Sequence, residues 1–148
     1  MILPQIYNER VNQVFCLYNE LATFLEEASF SSKLADLPSN TIGQQLWCVI
    51  GARESYLKGI QKGKWDGFSC SLPGAMTANK EAVGFALRRS AEVAQEIFSV
   101  LTSATESQER LAFELLEHEI QHQGQLIRYL YGLKLGIPKG WKERYHLE

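Results

Sequence analysis

The sequence predicts an all-α protein, folded as a four-helix bundle in a single domain over residues 1–148. Apolar residues recur every three or four positions through four long segments, which is the spacing of amphipathic helices. No segment alternates apolar and polar residues as a half-exposed strand does. A chain of 148 residues, 45% of them hydrophobic, can bury one core and is too short for two ordinary domains.

The first two helices are predicted from their apolar spacing and from the polar residues between them. Helix one is expected from Gln5 to Ala28. Its apolar positions are Ile6, Val11, Val14, Phe15, Leu17, Leu21, Leu25 and Ala28. Helix two is expected from about Thr41 to about Gln61, because Ser39-Asn40-Thr41 offers capping oxygens in front of an apolar run.

A long break rich in glycine and turn residues, from Gly63 to Gly74, separates helix two from helix three. Thr77 precedes Asn79 in a capping-box arrangement, and helix three is expected to reach about Ser103. A gap of about fourteen residues spans roughly 45 Å when extended, whereas a twenty-residue helix is about 30 Å long. The chain can therefore return along the bundle, which favours an up-down-down-up order with a long crossover.

Helix four is the longest of the predicted helices. A polar run at Thr105-Glu106-Ser107-Gln108 opens it, and it is expected to stop at Gly136 before Pro138. Its apolar positions are Leu111, Leu115, Leu116, Ile120, Leu126, Ile127, Leu130 and Leu133. Trp141 and Tyr145 follow the turn and are expected to cover the open end of the bundle.

Composition excludes several classes of function. The net charge is −2 with both signs interspersed, so no basic stripe is present and nucleic-acid binding is not expected. No run approaches the roughly 18 apolar residues of a membrane span, and the start Met1-Ile2-Leu3-Pro4-Gln5 lacks the pattern of a secretion signal. We therefore expect a cytoplasmic protein, with Cys16, Cys48 and Cys70 as reduced thiols.

The histidines His118 and His122 are set four residues apart on helix four. Side chains with this spacing lie one above the other on a helix, so both imidazoles can bind one divalent metal ion. Two other interpretations stay open. The rings could be core histidines bonded to polar neighbours. The run His118-Glu119-Ile120-Gln121-His122 also fits the zinc-protease pattern H-E-x-x-H, although no downstream ligand or strand-containing scaffold is visible.

The carboxylates near this pair are expected on a solvated or salt-bridged helix face. Glu119 lies about 100° round the helix from His118, and Glu117 is displaced similarly on the other side. Glu114 or Glu54 would be better placed to orient an imidazole as a second layer of contacts. The remaining histidine, His146, is expected to be exposed near the end of the chain.

Two motifs of this sequence carry a family resemblance. The first, in helix four, is His118-Glu119-Ile120-Gln121-His122-Gln123-Gly124-Gln125-Leu126, followed by Tyr129-Leu130, Gly136, Pro138 and Trp141. The second, at the start of helix two, is Ser39-Asn40-Thr41-Ile42-Gly43-Gln44-Gln45-Leu46-Trp47. In both motifs the sequence resembles the DinB and YfiT-like superfamily of helical bundles. The similarity covers essentially the whole chain, and helices one and three match in pattern only.

This resemblance implies a bundle, often dimeric, that binds zinc or nickel through one histidine of helix two and two of helix four. In this sequence Cys48 stands at the helix-two position, immediately after Leu46-Trp47. A thiolate is a good zinc ligand, so Cys48, His118 and His122 would form a site with one open position. Alternatively, Cys48 is a small buried residue and the metal has been lost.

Some members of the family are thiol-dependent transferases that use a low-molecular-weight thiol. The resemblance therefore implies a metal-dependent thiol transferase, or a hydrolase-like enzyme, acting on a small electrophilic substrate. The alternative is a non-catalytic dimeric bundle, a stress or ligand-binding protein with a degenerate metal site. Apolar residues on more than one face of helices two and four also indicate a homodimer.

Overall fold

The computed structural model describes residues 5–148, which are all-helical and contain no β-strand. The predicted all-α class is thereby confirmed. The helical elements are α1 (Gln5–Phe24), a 3₁₀ turn (Glu27–Ser31), α2 (Ile42–Lys62), a second 3₁₀ turn (Gly74–Met76), α3 (Lys80–Val100), α4 (Glu106–Gly132) and α5 (Lys139–Tyr145). Part of the segment on which the absence of a secretion signal was judged, residues 1–4, lies outside the described residues.

The N-terminal caps explain where the long helices begin. Thr41 and Thr105 each form a capping box at the start of α2 and α4, where the sequence indicated capping oxygens and a polar run. The cap of α3 is Asn79, whose side chain accepts from the N–H of Ala82. The predicted capping-box role of Thr77 is therefore wrong, because Asn79, two residues further along the chain, caps the first turn of α3.

Helix α4 ends at Gly132, four residues before the predicted stop at Gly136. Lys134 adopts a left-handed conformation with φ of 55°, and the N–H of Leu135 donates to the carbonyl of Leu130 at 3.1 Å. This is the Schellman arrangement, which satisfies the last carbonyls of a helix without requiring glycine at the turn. The sequence carries no glycine at the left-handed position itself, which Lys134 occupies.

Helix α1 ends at Phe24 rather than at Ala28, because Glu26 takes an extended backbone conformation with ψ of 149°. The apolar pattern nevertheless continues past the end of the helix, because Leu25, just before the 3₁₀ turn, and Phe30, within it, are both buried. The turn thus packs its apolar side chains on the same core without extending the helix.

The short helix α5 is an element that the sequence did not predict as helical. Its Trp141 is fully buried, and the indole N–H donates to the carbonyl of Leu17 on α1 at 2.8 Å. Tyr18 meets the same indole edge-on, with ring centroids 6.2 Å apart. Trp141 was expected to cover the open end of the helices, and in the structure its side chain packs against α1.

Helix α2 packs against α4 in an antiparallel arrangement. The side chain of Gln108, at the start of α4, donates to the carbonyl of Ile60 near the end of α2. At the opposite end, the hydroxyl of Tyr129 donates to the carbonyl of Asn40, just before α2. These contacts fix the register in which side chains of the two helices meet.

Helices α1 and α3 are also antiparallel. The Lys80 ammonium at the start of α3 donates to the carbonyl of Thr23 at the end of α1. Buried apolar side chains from all four long helices form one continuous core. None of the helices described within residues 5–148 is both long and apolar enough to cross a membrane.

Helices α2 and α3 are parallel. Arg53, midway along α2, donates to the hydroxyl of Ser90, midway along α3, at 3.1 Å. Further along both helices, Ile60 and Ile97 line the same cleft. The connection from Gly63 to Asn79 therefore carries the chain back to the end at which α2 began.

Candidate metal centre

Cys48 on α2 meets His118 and His122 on α4. One ligand atom from each of the three side chains lies within 4.8 Å of the other two. The Cys48 sulfur is 3.9 Å from Nε2 of His118, and the two imidazole rings are 4.5 Å apart between centroids. The three residues singled out from the sequence thus come together, in a cluster that could hold a metal ion.

The donor set suits a metal that accepts sulfur and nitrogen. With zinc bonds of about 2.3 Å to sulfur and 2.0–2.1 Å to nitrogen, tetrahedral ligands of this kind lie about 3.6 Å apart. The observed 3.9 Å from the Cys48 sulfur to the His118 nitrogen exceeds that value by only a few tenths of an ångström. One thiol and two imidazoles therefore fit a three-ligand site with an open fourth position.

The ring of His122 is held by an amide that the sequence did not single out. Nδ1 of His122 donates to Oε1 of Gln45 at 2.5 Å, which leaves Nε2 as the nitrogen with a free lone pair. The Gln45 amide is itself fixed, because its NH₂ group donates to Oδ1 of Asn40 at 2.7 Å. Asn40 Oδ1 also accepts from the hydroxyl of Tyr129. A chain of hydrogen bonds thus orients the His122 ring.

The position of Gln45 could have been suspected from the sequence. It precedes Cys48 by three residues on α2, so the two side chains share a helix face. A buried amide and a buried imidazole both need hydrogen-bond partners, and an amide oxygen can accept the N–H of the imidazole. The sequence alone gave no reason to choose Gln45 over its neighbour Gln44, which instead completes the capping box of Thr41.

His118 has no comparable orienting partner. Its Nε2 faces the Cys48 sulfur, while its Nδ1 is buried and has no hydrogen-bond partner among the described residues. The ring packs near that of Tyr56, with centroids 6.3 Å apart. Protonation would place a second ring N–H in this buried position without a hydrogen-bond acceptor, so the surroundings favour the neutral imidazole.

Burial sets the ionisation of all three side chains. It lowers the pKa of His118, and burial together with the neighbouring His118 lowers the pKa of His122 to about 4. Both rings are therefore neutral near neutral pH, which is the form that ligates metals. Burial raises the pKa of the Cys48 thiol, so a metal must displace its proton in order to bind sulfur.

Glu119 does not lie on a solvated face, and that part of the expectation is wrong. Its side chain is fully buried and pairs with the equally buried Arg53 of α2. The guanidinium also donates to the carbonyl of Leu87 at 3.0 Å and lies 4.0 Å from the centre of the Phe15 ring. Burial raises the pKa of Glu119, and the Arg53 charge opposes that shift. The pair joins α2 to α4 one residue from His118.

The other carboxylates do not orient the imidazoles within the described structure. Glu54 accepts hydrogen bonds from the backbone N–H and the hydroxyl of Ser71, so it holds the α2–α3 connection instead. Glu114 has no hydrogen bond to either ring, and Glu117 is exposed, as expected. His146 is also exposed and contributes nothing to the cluster.

An open pocket of about 450 Å³ gives access to Cys48 from outside. The side chains and backbone that line it are uncharged: Asn40, Gln44, Trp47, Cys48, Gly74 and Thr77. The Trp47 indole is fixed there by a hydrogen bond from its N–H to the carbonyl of Leu72 at 2.8 Å. A small molecule in this pocket would lie beside the sulfur.

No protein-family model, curated protein or solved structure matches this chain. The resemblance to the DinB and YfiT-like superfamily therefore stays a prediction from the sequence motifs.

Proposed function

We propose that this protein binds one divalent metal ion, zinc or nickel, through Cys48, His118 and His122, and transfers a low-molecular-weight thiol to a small electrophilic substrate. The observation that carries the proposal is the convergence of the three ligand atoms within 4.8 Å. They come from two helices and from positions 70 residues apart along the chain. A second layer of contacts to His122 supports the same interpretation.

Each residue of the cluster has a distinct task in this proposal. His118 and His122 offer neutral ring nitrogens, and Gln45 keeps the His122 ring in the tautomer that presents Nε2. Cys48 supplies the sulfur after losing its proton. When bound, the ion supplies a Lewis acid with an open position, which lowers the pKa of a thiol or water placed there.

The pocket beside Cys48 supports a small and uncharged substrate. Its walls contain no ionisable group other than the thiol, so a charged molecule would lose hydration without gaining an opposite charge. Trp47 offers a flat apolar surface, while Gln44 and Thr77 offer polar atoms at the rim. We assign no general base, because the described residues place no free carboxylate or further imidazole at this pocket.

We also propose that the chain is a DinB/YfiT-like four-helix bundle with up-down-down-up order. Three pairings support this arrangement: α2 antiparallel to α4, α1 antiparallel to α3, and α2 parallel to α3. The connection from Gly63 to Asn79 would then be the long crossover expected for this topology. The Cys48 position on α2 matches the place where the family has its third ligand.

A second candidate is a non-catalytic helical protein whose metal site has degenerated. The specific observation in its favour is the pKa of Cys48, which burial raises without an opposing positive charge from the described residues. In that case the cysteine and both histidines would only fill and polarise the interior. Metal content distinguishes the two candidates directly.

Elemental analysis of purified, tag-free protein tests the metal proposal. We expect close to one zinc or nickel per chain in the wild type and loss of that metal in His122→Ala and in Cys48→Ser. The matched control is Cys70→Ser, since Cys70 is also half-buried but lies outside the cluster. Wild-type protein without metal after reconstitution, or a Cys48→Ser variant that binds metal as tightly, would overturn the proposed ligand set.

Transfer activity is a separate measurement. The metal-loaded protein is mixed with a low-molecular-weight thiol and an uncharged electrophile, and consumption of the thiol is followed over time. We expect turnover that disappears in His122→Ala and persists in Cys70→Ser. A full metal complement with no turnover over a panel of such pairs would retain the metal site and reject the transferase.

A further inference from the structure

Helix α4 has an apolar outer face that the rest of the described chain covers only in part. Tyr7 meets the ring of Phe113 edge-on at one end, and the hydroxyl of Tyr131 donates to the carbonyl of Glu148 at the other. Phe113, Ile120 and Tyr131 on this face are exposed large side chains, and Leu116 and Ile127 between them are only partly buried. Their spacing of three, four and seven residues places them on one side of the helix, over about 27 Å of its length. We call these five residues, together with Gly124, the α4 outer stripe.

Gly124 lies at the middle of this stripe. A Cβ added there would meet no atom within 4 Å, so nothing inside the chain requires a glycine. A glycine in a helix interior costs about 0.5–1 kcal/mol relative to alanine. A small residue at this point therefore suits the close approach of a large side chain from outside the chain.

The α4 outer stripe is complementary to the same stripe of a second copy that runs in the opposite direction. Positions 113 and 131 are equidistant from position 122, and so are positions 120 and 124. In an antiparallel pair centred there, Phe113 of one copy would oppose Tyr131 of the other. The large Ile120 would face the small Gly124, while Leu116 and Ile127 would oppose each other within one residue. Such self-complementarity is what a two-fold interface requires.

Charged residues beside the stripe follow the same symmetry. Glu117 and Arg128 are exposed on one flank of α4, and neither forms an ion pair within the described chain. A two-fold axis perpendicular to the helices brings this flank of one copy against the same flank of the other. Glu117 then lies opposite Arg128 of the second copy, whereas a parallel two-fold pairing would bring this flank against the opposite flank of the second copy and separate the two residues.

We propose that a second copy of this chain docks on the α4 outer stripe, with the two α4 helices antiparallel about a two-fold axis near position 122. This proposal gives the homodimer expected from the sequence a defined surface and register. It is independent of the proposed metal chemistry, because His118 and His122 face α2 and not this stripe.

Sedimentation velocity of the full chain over a range of concentrations tests the proposal. We expect a dimer for the wild type, and a dissociation constant raised at least 100-fold in Ile120→Glu. The matched control is Phe85→Glu on α3, which changes a side chain that is 63% exposed and should leave the dimer intact. Circular dichroism and metal content should be unchanged in both variants, which separates dimer loss from unfolding.

The charges then determine the register. Glu117→Arg and Arg128→Glu should each weaken the dimer about tenfold, and the double charge exchange should restore it. Glu117→Gln should weaken the dimer as well. A monomeric wild type at 100 µM would overturn the proposal, as would an Ile120→Glu variant that stays dimeric. A dimer strengthened by Glu117→Gln would overturn the antiparallel register.

Discussion

Arg53 and Glu119 form a two-pronged ion pair in the core, with Nε to Oε1 at 2.8 Å and Nη2 to Oε2 at 3.0 Å. Both side chains are completely buried. The pair links α2 to α4 at a point that lies beyond Cys48 along α2, toward the C-terminal end of that helix. It therefore fixes the register that brings the sulfur of Cys48 to the imidazole of His118.

Removing one partner of this pair should strongly destabilise the protein. We expect Glu119→Ala to lower the free energy of unfolding by about 3–5 kcal/mol, because Arg53 would be left as an uncompensated buried charge. The exposed pair of Arg89 with Glu92 is the control, since Arg89→Ala removes only a solvent-screened ion pair and should cost far less than Glu119→Ala. Urea unfolding followed by circular dichroism measures both variants.

An apolar double replacement distinguishes the burial of an unpaired charge from simple loss of packing. Arg53→Met combined with Glu119→Leu leaves no buried charge, so it should be much more stable than Glu119→Ala. Equal losses in the single and double variants would contradict the role assigned to the charge pair.

Gln45 should control metal affinity without contributing a ligand. Gln45→Leu removes the acceptor for the His122 N–H, and we expect metal affinity to fall about 10–100-fold. Gln45→Glu keeps an acceptor at the same place and should retain affinity close to that of the wild type. Competition with a chromophoric chelator measures the constants. An unchanged affinity in Gln45→Leu would show that the ring is oriented by other contacts.

The metal-free protein should lose stability as the pH falls from about 6.5 to about 4. In the folded state His122 has its pKa lowered to about 4, whereas the unfolded chain binds the proton near the ordinary value of 6.5. Between these values the unfolded state binds more protons, so stability rises with pH in this window. His118, whose pKa is also lowered, contributes in the same direction.

Thermal unfolding of the metal-free protein between pH 4 and pH 7 measures this dependence. His122→Gln removes the titrating ring and should give a shallower decline on acidification. Every carboxylate is present in both proteins, so the difference isolates the histidine. Identical slopes in the variant and the wild type would be inconsistent with a neutral, buried His122.

Trp141 should stabilise the helical core rather than act in the metal cluster. Trp141→Ala leaves a large cavity against α1, and we expect a loss of about 3–5 kcal/mol. Trp141→Phe keeps most of the ring but loses the hydrogen bond to the Leu17 carbonyl, so its cost should be smaller. Metal content should be unchanged in Trp141→Phe. A variant that folds normally but loses metal would argue for a direct role in the site.

Much of the fold was readable from the sequence because helix formation depends on local patterns. The stripe Leu46, Val49, Arg53, Leu57 and Ile60 is buried along α2, as the apolar spacing indicates. The polar residues that open α2 and α4, Thr41 and Thr105 among them, are short-range signals and were equally visible, although the capping boxes that they form were not predicted. The end of α4 was missed because Lys134, and not glycine, takes the left-handed conformation.

The cluster was predictable in its members but not in its supporting contacts. The spacing of His118 and His122 is set by helix geometry, and Cys48 was placed by resemblance. The burial of Glu119 depends on Arg53, which lies 66 residues earlier, and carboxylates are usually exposed when nothing pairs with them. The role of Gln45 likewise exists only after α2 and α4 have packed.

Hydrogen bonds run from Tyr129 through Asn40 and Gln45 to His122. They would have to be kept if the cluster of one cysteine and two histidines were engineered into another protein. Installing only a cysteine and two histidines on another pair of antiparallel helices would leave the second imidazole free to rotate. A designer would need to carry over the residues that start α2 as well. The smallest portable unit is therefore the helix pair together with its capping segment.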